Sequence, residues 1–313
     1  MIAAVILDGQ LSLAERPDPE PGVGEVRIRT RAAGLNAADL LQLAGHYPAP
    51  PGWPRDVPGL ELSGVVDATG PGAEAWRGRR VCAIVGGGAQ AGAAVVPAVH
   101  LLEVPDDVDL VEAGAFPEAF VTAHDALVSQ ADLRAGERVI ITGATGGVGT
   151  AAIQVAAELG SHVIAVTRTR EHHEALRSLG AAETVLIDDV AGVDKVDVAL
   201  ELVGAATVPA VVSRLGPRGR LVVIGVGGGA RAPLDLLAVM QRRLSITGST
   251  LRSRSVEEKA AAVAAAARDL GARWAAGSLR VPIAARLSLS QVREAYQEFA
   301  HPGRLGKLVL VVA

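Results

Sequence analysis

The middle of the chain alternates short apolar runs with longer amphipathic stretches. Apolar runs of this length are typical of buried strands. The six predicted strands lie at 138–142, 162–167, 184–187, 196–201, 219–225 and 245–249. The stretches between them predict helices near 148–159, 170–179, 205–214 and 233–242. Because strands that alternate with helices form doubly wound parallel sheets, we expect an α/β Rossmann domain over residues 122–250.

The two flanks of this region show a different pattern, with more Pro and Gly and fewer long helical periods. Their short apolar runs predict strands near 3–7, 25–33, 62–70 and 79–85. After the middle region, an apolar stripe predicts a helix over 255–270, and a final strand is expected at 307–311. We expect that last strand to rejoin the first part of the chain. Residues 1–121 and 251–313 therefore form one β-rich domain in our prediction.

Composition narrows the class of protein. The 313 residues are enough for two hydrophobic cores, and the net charge of −4 comes from well-mixed acids and bases. No basic patch points to a nucleic acid, and no run of about 20 apolar residues points to a membrane span. The apolar start lacks a basic leader and reaches Asp8 too early for a signal peptide. A single cysteine, Cys82, excludes an intrachain disulfide and favours the reducing cytoplasm.

A glycine-rich turn follows the first strand of the middle region and precedes its first helix. Its residues fit the spacing G-x-G-x-x-G with alanine in first place: Ala144, Thr145, Gly146, Gly147, Val148 and Gly149. Between a strand and a helix, this spacing lets the backbone approach a pyrophosphate, which the helix N-terminus then binds. An ordinary glycine-rich turn is the structural alternative. The second strand at the correct distance favours dinucleotide binding.

The residues after the second strand bear on which nicotinamide cofactor is bound. NAD sites place an acid about 20 residues beyond the glycine motif, where it binds the ribose hydroxyls. Here the strand ends in Thr167, and cationic or titratable side chains follow at Arg168, Arg170 and His172. Since guanidinium groups bind phosphate through paired hydrogen bonds, the pattern favours NADPH, with Arg168 as the main contact. A solvated helix end with mixed charge is the alternative.

Several further motifs fall in order along nearly the whole chain. They are Gly34-Leu35-Asn36-Ala37-Ala38-Asp39, Gly45-His46-Tyr47-Pro48, Pro58 to Gly64, Phe116-Pro117-Glu118, Ala144 to Gly149 and Gly306-Lys307. In these motifs the chain resembles the zinc-independent medium-chain dehydrogenases/reductases of the quinone oxidoreductase group, which includes zeta-crystallin. The resemblance implies a GroES-like catalytic domain built from both chain ends, a central Rossmann domain that binds NADPH, and a cleft between them. It also implies a homodimer formed by edge strands near 245–249.

Motif matching further indicates chemistry without a metal. Where the zinc alcohol dehydrogenases of this fold hold their catalytic metal with two cysteines and a histidine, this chain has Asn36, Leu60 and Glu118. Leucine cannot ligate a metal, and the four-cysteine structural zinc site is also missing. Without a Lewis acid, hydride must go to an acceptor that is already electrophilic. The expected small-molecule substrate is therefore a quinone or an α,β-unsaturated carbonyl compound.

The resemblance implies roles for individual residues. It places Asn36, Thr122 and the loop that begins at Gly225 around the nicotinamide ring, and it adds Lys307 to the cofactor contacts. Asn36, Tyr47 or water would stabilise the charge that develops on the acceptor oxygen. Structural alternatives stay open: Asn36 as a helix cap, the Tyr47 segment as a rigid loop, and Glu61 as the buried partner of an arginine.

The chain also departs from the family. An aromatic and an acid that often follow the glycine run at 86–88 are replaced by Ala89-Gln90-Ala91. Asp188 stands where a tyrosine near the adenosine ribose is common, and His172 stands where a lysine is common. The aromatic content of 3% also suits a flat quinone poorly. An enoyl-thioester reductase of secondary metabolism and a non-catalytic NADPH-binding protein are therefore the alternative functions.

Overall fold

A computed structural model describes residues 1–312 of the chain. The chain divides into two compact units, one of Met1–Val121 with Leu251–Ala313 and one of Thr122–Thr250. We refer to them as unit 1 and unit 2. Within residues 1–312, no helix is both long and apolar enough to cross a membrane.

Unit 1 begins with strands and short helices. In chain order they are β1 (Ile2–Leu7), β2 (Gln10–Glu15), β3 (Glu25–Gly34), α1 (Ala37–Leu43), β4 (Glu61–Thr69), β5 (Arg80–Ile84), β6 (Ala93–Pro97), β7 (Leu101–Glu103), α2 (Leu110–Ala113) and α3 (Pro117–His124), whose last turn belongs to unit 2. The four strands predicted here are confirmed to within about two residues at most ends. β2, β6 and β7 were not predicted.

Unit 2 contains the alternating strands and helices. They are β8 (Arg138–Ile141), α4 (Gly147–Glu158), β9 (His162–Thr167), α5 (His173–Ser178), β10 (Glu183–Leu186), β11 (Val196–Glu201), α6 (Val208–Arg214), β12 (Leu215–Val223), α7 (Leu236–Arg242) and β13 (Ser245–Gly248). A π-helical turn at Asp125–Gln130 precedes them. The six strands form one sheet in the order β10-β9-β8-β11-β12-β13, and every pair is parallel. This is the doubly wound Rossmann sheet that the sequence predicts.

Burial explains why these runs form strands. Val139, Ile140 and Ile141 of β8 are fully buried, as expected for a strand with helices on both faces. Two predicted helices begin later than expected, for local reasons. α6 has Pro209 in its first turn, where a missing N–H costs no helical hydrogen bond. α7 begins after Asp235, whose carboxylate accepts the N–H of Ala238 at 3.1 Å.

The chain returns to unit 1 after Thr250. The elements there are α8 (Val256–Ala275), β14 (Ile283–Ser288), α9 (Val292–Ala300) and β15 (Lys307–Val311). β15 pairs with β3, which confirms that the last strand rejoins the first part of the chain. The seven-stranded sheet has the order β14-β15-β3-β4-β5-β7, and β6 pairs with β3 beside this path. Lys307 thereby lies beside Asn36 and Glu61, which precede it by 271 and 246 positions.

Candidate functional site

The glycine-rich turn of unit 2 joins β8 to α4 at the carboxyl edge of the sheet. Gly143 adopts φ +57°, which L side chains rarely adopt, and its carbonyl accepts the N–H of Gly146 at 3.1 Å. Ala144 donates to the carbonyl of Val166 at 3.3 Å, so the turn is held against the end of β9. Ala144 and Gly149 are buried, while the four residues between them, Thr145, Gly146, Gly147 and Val148, are partly exposed.

The glycines of this turn serve different purposes. A Cβ on Gly149 would overlap the carbonyl oxygen of Gly143 and lie 2.7 Å from Cα of Ala144, so helix and turn pack too closely for a side chain. A Cβ on Gly146 would meet only the Gly143 oxygen at 3.5 Å and otherwise enter open space. Because the first N–H groups of α4 have no partner within the helix, this open space suits a diphosphate. The turn therefore fits the nucleotide that the sequence predicts.

The residues after β9 form a bend, which corrects the prediction of a helix over 170–179. Thr167 donates from Oγ1 to the carbonyl of Thr169 at 2.8 Å, and His173 donates its N–H to Arg170 at 3.1 Å. α5 therefore begins at His173, with His172 as its N-cap. Arg168 and Arg170 therefore lie in the bend and not in the helix.

Arg168 and Arg170 are exposed, and within residues 1–312 no hydrogen bond or ion pair to another side chain engages either guanidinium. Thr167, in contrast, is buried, and its hydroxyl also bonds to Nε2 of His173 at 2.9 Å. Burial lowers the pKa of His173, and the cations Arg177 and Arg170 lower it further. His173 is therefore neutral near pH 7 and holds Thr167 in place. The sequence analysis did not assign a role to His173.

Glu201, at the end of β11, was also missed by sequence reasoning. The side chain is fully buried, and its Oε1 accepts from the hydroxyls of Thr142 and Thr207, both at 2.7 Å. The same oxygen accepts the N–H groups of Val203 at 2.7 Å and Gly204 at 2.8 Å. Glu201 thus joins the strand next to the glycine-rich turn to the loop that follows β11. An acid at the end of a predicted buried strand was the available signal.

Gly225 and Thr122 are the remaining predicted residues of unit 2. Gly225 donates its N–H to the carbonyl of Glu201 at 3.1 Å, and a Cβ there would overlap the backbone of Leu202. Only glycine fits this close approach of two strand ends. Thr122 is buried, and its Oγ1 has no hydrogen-bond partner among residues 1–312. Since buried hydroxyls are normally bonded, this atom is a candidate contact for a ligand.

Unit 1 holds a buried polar cluster around Glu61, on β4. Lys307 donates from Nζ to Glu61 and to Oδ1 of Asn36, the latter at 2.6 Å. Asn36 donates from Nδ2 to Oε1 of Glu61 at 2.9 Å, and the N–H of Glu118 donates to Oε2 at 2.9 Å. The buried partner of Glu61 is therefore a lysine, not the arginine that the sequence suggested. Asn36 is the N-cap residue of α1, and the carboxylate of Asp39 accepts its backbone N–H, but its side chain bonds to the cluster.

Two further carboxyl groups lie near this cluster. Asp39 is buried and accepts the N–H groups of Asn36 at 2.8 Å and Gly59 at 3.2 Å. Burial nevertheless raises its pKa to about 7. Glu118 is half-buried, yet its Oε2 is shielded from solvent and has no hydrogen-bond partner within residues 1–312. Burial raises the pKa of Glu118 to about 7, and the charge of Glu61 adds to this shift.

Arg252 ties the loop that contains Tyr47 to the end of β5. Its guanidinium donates to the carbonyls of Tyr47 at 2.8 Å and Gly86 at 2.9 Å, and to Oε1 of Gln42. The same group lies 4.9 Å from the centre of the half-buried Tyr47 ring. The ammonium of buried Lys259 lies 5.4 Å from the ring of Trp53. These contacts agree with the structural alternative in which the Tyr47 segment is a rigid loop. The loop also carries the half-buried aromatic ring of Tyr47.

Leu60 is buried beside Glu61. Within residues 1–312, no group of three or more His, Cys, Asp or Glu side chains is arranged to hold a metal ion. Asn36 and Glu118 are instead hydrogen-bonded to Glu61.

Two domain families match the chain. The alcohol dehydrogenase GroES-like domain matches residues 22–106, and the zinc-binding dehydrogenase family matches residues 147–268. A GroES-like unit together with a Rossmann unit defines the medium-chain dehydrogenases/reductases, which are oxidoreductases that use a nicotinamide cofactor.

Individual relatives narrow the class. Human quinone oxidoreductase is 30% identical over 309 residues, which cover 94% of this chain and 91% of the relative. The quinone oxidoreductase of Thermus thermophilus, solved alone and with NADPH, superposes with a TM-score of 0.85 at 33% identity, covering 99% of this chain and 100% of that one. The mouse synaptic vesicle membrane protein VAT-1 homolog-like is 38% identical over 180 residues, 56% of this chain and 43% of the relative. The chain belongs to the zinc-independent quinone oxidoreductase family of medium-chain dehydrogenases/reductases.

Proposed function

We propose that this chain is an NADPH-dependent, metal-independent reductase of quinones or α,β-unsaturated carbonyl compounds, acting in the cytoplasm. The observation that carries the cofactor preference is the exposed guanidinium of Arg168, which has no side-chain hydrogen bond or ion pair among residues 1–312. Arg168 lies two residues after Val166, whose carbonyl binds the glycine-rich turn. A 2′-phosphate would provide the missing anionic partner. The Thermus relative, which was solved with NADPH, supports the same choice.

Each part of unit 2 has a role in this proposal. The turn from Ala144 to Gly149 binds the pyrophosphate through backbone N–H groups, and Arg168, Arg170 and His172 surround the 2′-phosphate. The unpartnered hydroxyl of Thr122 contacts the nicotinamide end of the cofactor. NADPH, when bound, supplies the hydride. The protein residues bind and orient the reactants.

The residues of unit 1 indicate the chemical class of the hydride acceptor. Leu60 is apolar and Asn36 is bonded to Glu61 and Lys307, so no side chain among these acts as a metal ligand. Without Lewis-acid activation, the acceptor must be electrophilic by itself, as quinones and enones are. Lys307 is buried with Glu61 in unit 1, so we propose that it orients Asn36 in addition to any contact with the cofactor.

The cofactor preference is tested by replacing Arg168→Ala. We expect the dissociation constant for NADPH to rise on the order of tenfold, since one charge-assisted contact is lost, while that for NADH changes little. Arg134→Ala is the matched control, because this exposed arginine precedes β8 and so lies at the opposite edge of the sheet. Fluorescence titration measures both constants. Equal losses for both nucleotides would contradict the phosphate contact.

The acceptor class is tested by a turnover panel. A benzoquinone, a naphthoquinone, a 2-alkenal and an enoyl thioester are compared at equal NADPH. Turnover of the first three supports the proposal, and a strong preference for the thioester favours the enoyl-reductase alternative. Tight NADPH binding without turnover of any acceptor would show a cofactor-binding protein without catalysis.

We also propose a homodimer through the free edge of unit 2. β13 is the edge strand of the sheet, and all four of its residues are exposed. On α7, Leu236, Leu237 and Met240 are exposed to 73%, 57% and 67%. An exposed edge strand beside apolar side chains is a typical association surface. Light scattering should find two chains per particle, and Met240→Glu should shift the population towards one.

A further inference from the structure

Three carboxyl groups of unit 1 lie close enough to influence one another, and they differ in their hydrogen-bond donors. Glu61 accepts from Lys307, Asn36 and the N–H of Glu118. Asp39 accepts two backbone N–H groups. Glu118 has no donor to its buried Oε2 within residues 1–312. Because a buried anionic oxygen without a donor is costly, the proton of this cluster is most stable on Glu118.

The charges around Glu118 come from four other elements. Glu61 of β4 and Asp39 of α1 oppose its ionisation, whereas Lys307 of β15 and Lys259 of α8 favour it. Lys259 is itself weakly bonded, with one long contact of 3.4 Å from Nζ to the carbonyl of Arg252. Burial has the largest influence, and the net result is a pKa raised to about 7. A carboxylic acid near this value both keeps and releases a proton at neutral pH.

Glu118 differs from Glu61 and Asp39 in how far its carboxyl group is available to a bound molecule. Glu61 and Asp39 are fully buried, and both oxygens of each already accept hydrogen bonds from the protein, so neither offers an unbonded oxygen to a bound molecule. Glu118 is half-buried at the start of α3. We propose that Glu118 is the catalytic acid of this chain, which gives its carboxyl proton to the carbonyl oxygen of the acceptor. This role rests on the proposed reductase function.

Reduction of the acceptor requires one hydride and one proton. When the β-carbon of a conjugated carbonyl receives a hydride, the electrons of the C=C bond move towards the carbonyl oxygen. The O–H bond of Glu118 breaks, and an O–H bond forms on that oxygen, which yields the enol and then the saturated carbonyl compound. For a quinone, the same transfer completes the hydroquinone. The carboxylate of Glu118 regains its proton from water.

The protonation state is tested without any cofactor. Carbon-13 spectra of the chain labelled at glutamate carboxyl carbons should show one signal that titrates near pH 7. This signal should disappear in Glu118→Gln and remain in Glu112→Gln, a matched control that is also half-buried in unit 1. A Glu118 signal that titrates below pH 5 would overturn the proposal. If Glu118→Gln does not fold, Glu118→Asp serves for the assignment, because it replaces the signal and keeps the acid.

The transfer itself is tested by kinetics. Glu118→Gln should lower kcat by about 100-fold at pH 6.5 with little change in KM, because a positioned general acid contributes on that order. The wild-type rate should fall as the pH rises through about 7, and this dependence should be absent in the variant. Glu118→Asp should restore part of the rate and of the pH dependence. Glu112→Gln should match the wild type.

The outcomes separate the two proposals. A wild-type chain that binds NADPH and turns over no acceptor overturns both the reductase function and the role of Glu118. An active wild type with an equally active Glu118→Gln variant, or with an unchanged solvent isotope effect in that variant, overturns only the role of Glu118.

Discussion

The glycine-rich turn of unit 2 and the Glu61 cluster of unit 1 are built in opposite ways. The turn comes from one continuous stretch, and it offers backbone N–H groups. The cluster uses side chains from β4, α1, α3 and β15, and the Glu61–Lys307 pair spans 246 positions. Glycine is required in the turn because backbone and ligand need space. Charge complementarity is required in the cluster because its members are withdrawn from water.

This difference predicts how substitutions in each region affect stability and nucleotide binding. Loss of a side chain in the cluster leaves an unpaired buried charge, which lowers stability in the whole of unit 1. Gain of a side chain in the turn disturbs packing locally and removes nucleotide binding.

The largest effect is expected in the cluster. Lys307→Met leaves Glu61 buried opposite no cation, and breaking a buried pair in this way costs about 3–5 kcal/mol. Thermal and urea unfolding of the isolated protein measure the loss. Lys195→Met is the control, because Lys195 is exposed and donates only to the carbonyl of Ser213. A loss below about 1 kcal/mol for Lys307→Met would mean that Glu61 does not depend on this ammonium.

Substitutions in the turn should separate folding from binding. Gly149→Ala places a Cβ against Gly143 and Ala144, so we expect a destabilisation of about 1–3 kcal/mol together with weak nucleotide binding. Gly146→Ala meets open space, so the chain should remain stable while the pyrophosphate is displaced. Unfolding curves and NADPH titration are measured for both variants. Normal NADPH binding by Gly146→Ala would place the diphosphate elsewhere.

A smaller, pH-dependent effect is expected for Glu118. Its pKa is raised from 4.5 to about 7, so the folded chain binds this proton more tightly than the unfolded chain. The stabilisation is present below pH 4.5 and is lost as the pH rises through about 7. Glu118→Gln should therefore gain stability relative to wild type between about pH 5 and 8. Urea unfolding at several pH values measures this, and Glu112→Gln should run parallel to the wild type.

The smallest effect is expected from metal removal. Prolonged chelation should leave both the melting temperature and the turnover unchanged, because Leu60, which motif matching assigns to a ligand position of the zinc enzymes, cannot bind a metal. Restoration of lost activity by added zinc would contradict a metal-independent reaction.

Sequence reasoning predicted the parts of the molecule that local pattern determines. The six strands of unit 2 follow from apolar runs, and the turn follows from glycine spacing within one strand–helix unit. The end of the strand at Thr167 was predicted correctly, but the helix was started too early because side-chain bonds of Thr167 and His173, not periodicity, form the bend at residues 168–172. The contacts of Glu61 were assigned to the wrong cation because its partner depends on how β15 pairs with β3. Glu201 went unnoticed because threonines from separate segments make its environment.

Arg252 lies directly after the point where the chain re-enters unit 1, and three separate segments depend on its guanidinium. The local stability of three segments therefore depends on one side chain. Removal of the guanidinium would break its hydrogen bonds to the Tyr47 loop, the end of β5 and α1 together. Backbone hydrogen exchange should therefore accelerate in the Tyr47 loop, at the end of β5 and in α1 together in the Arg252→Met variant.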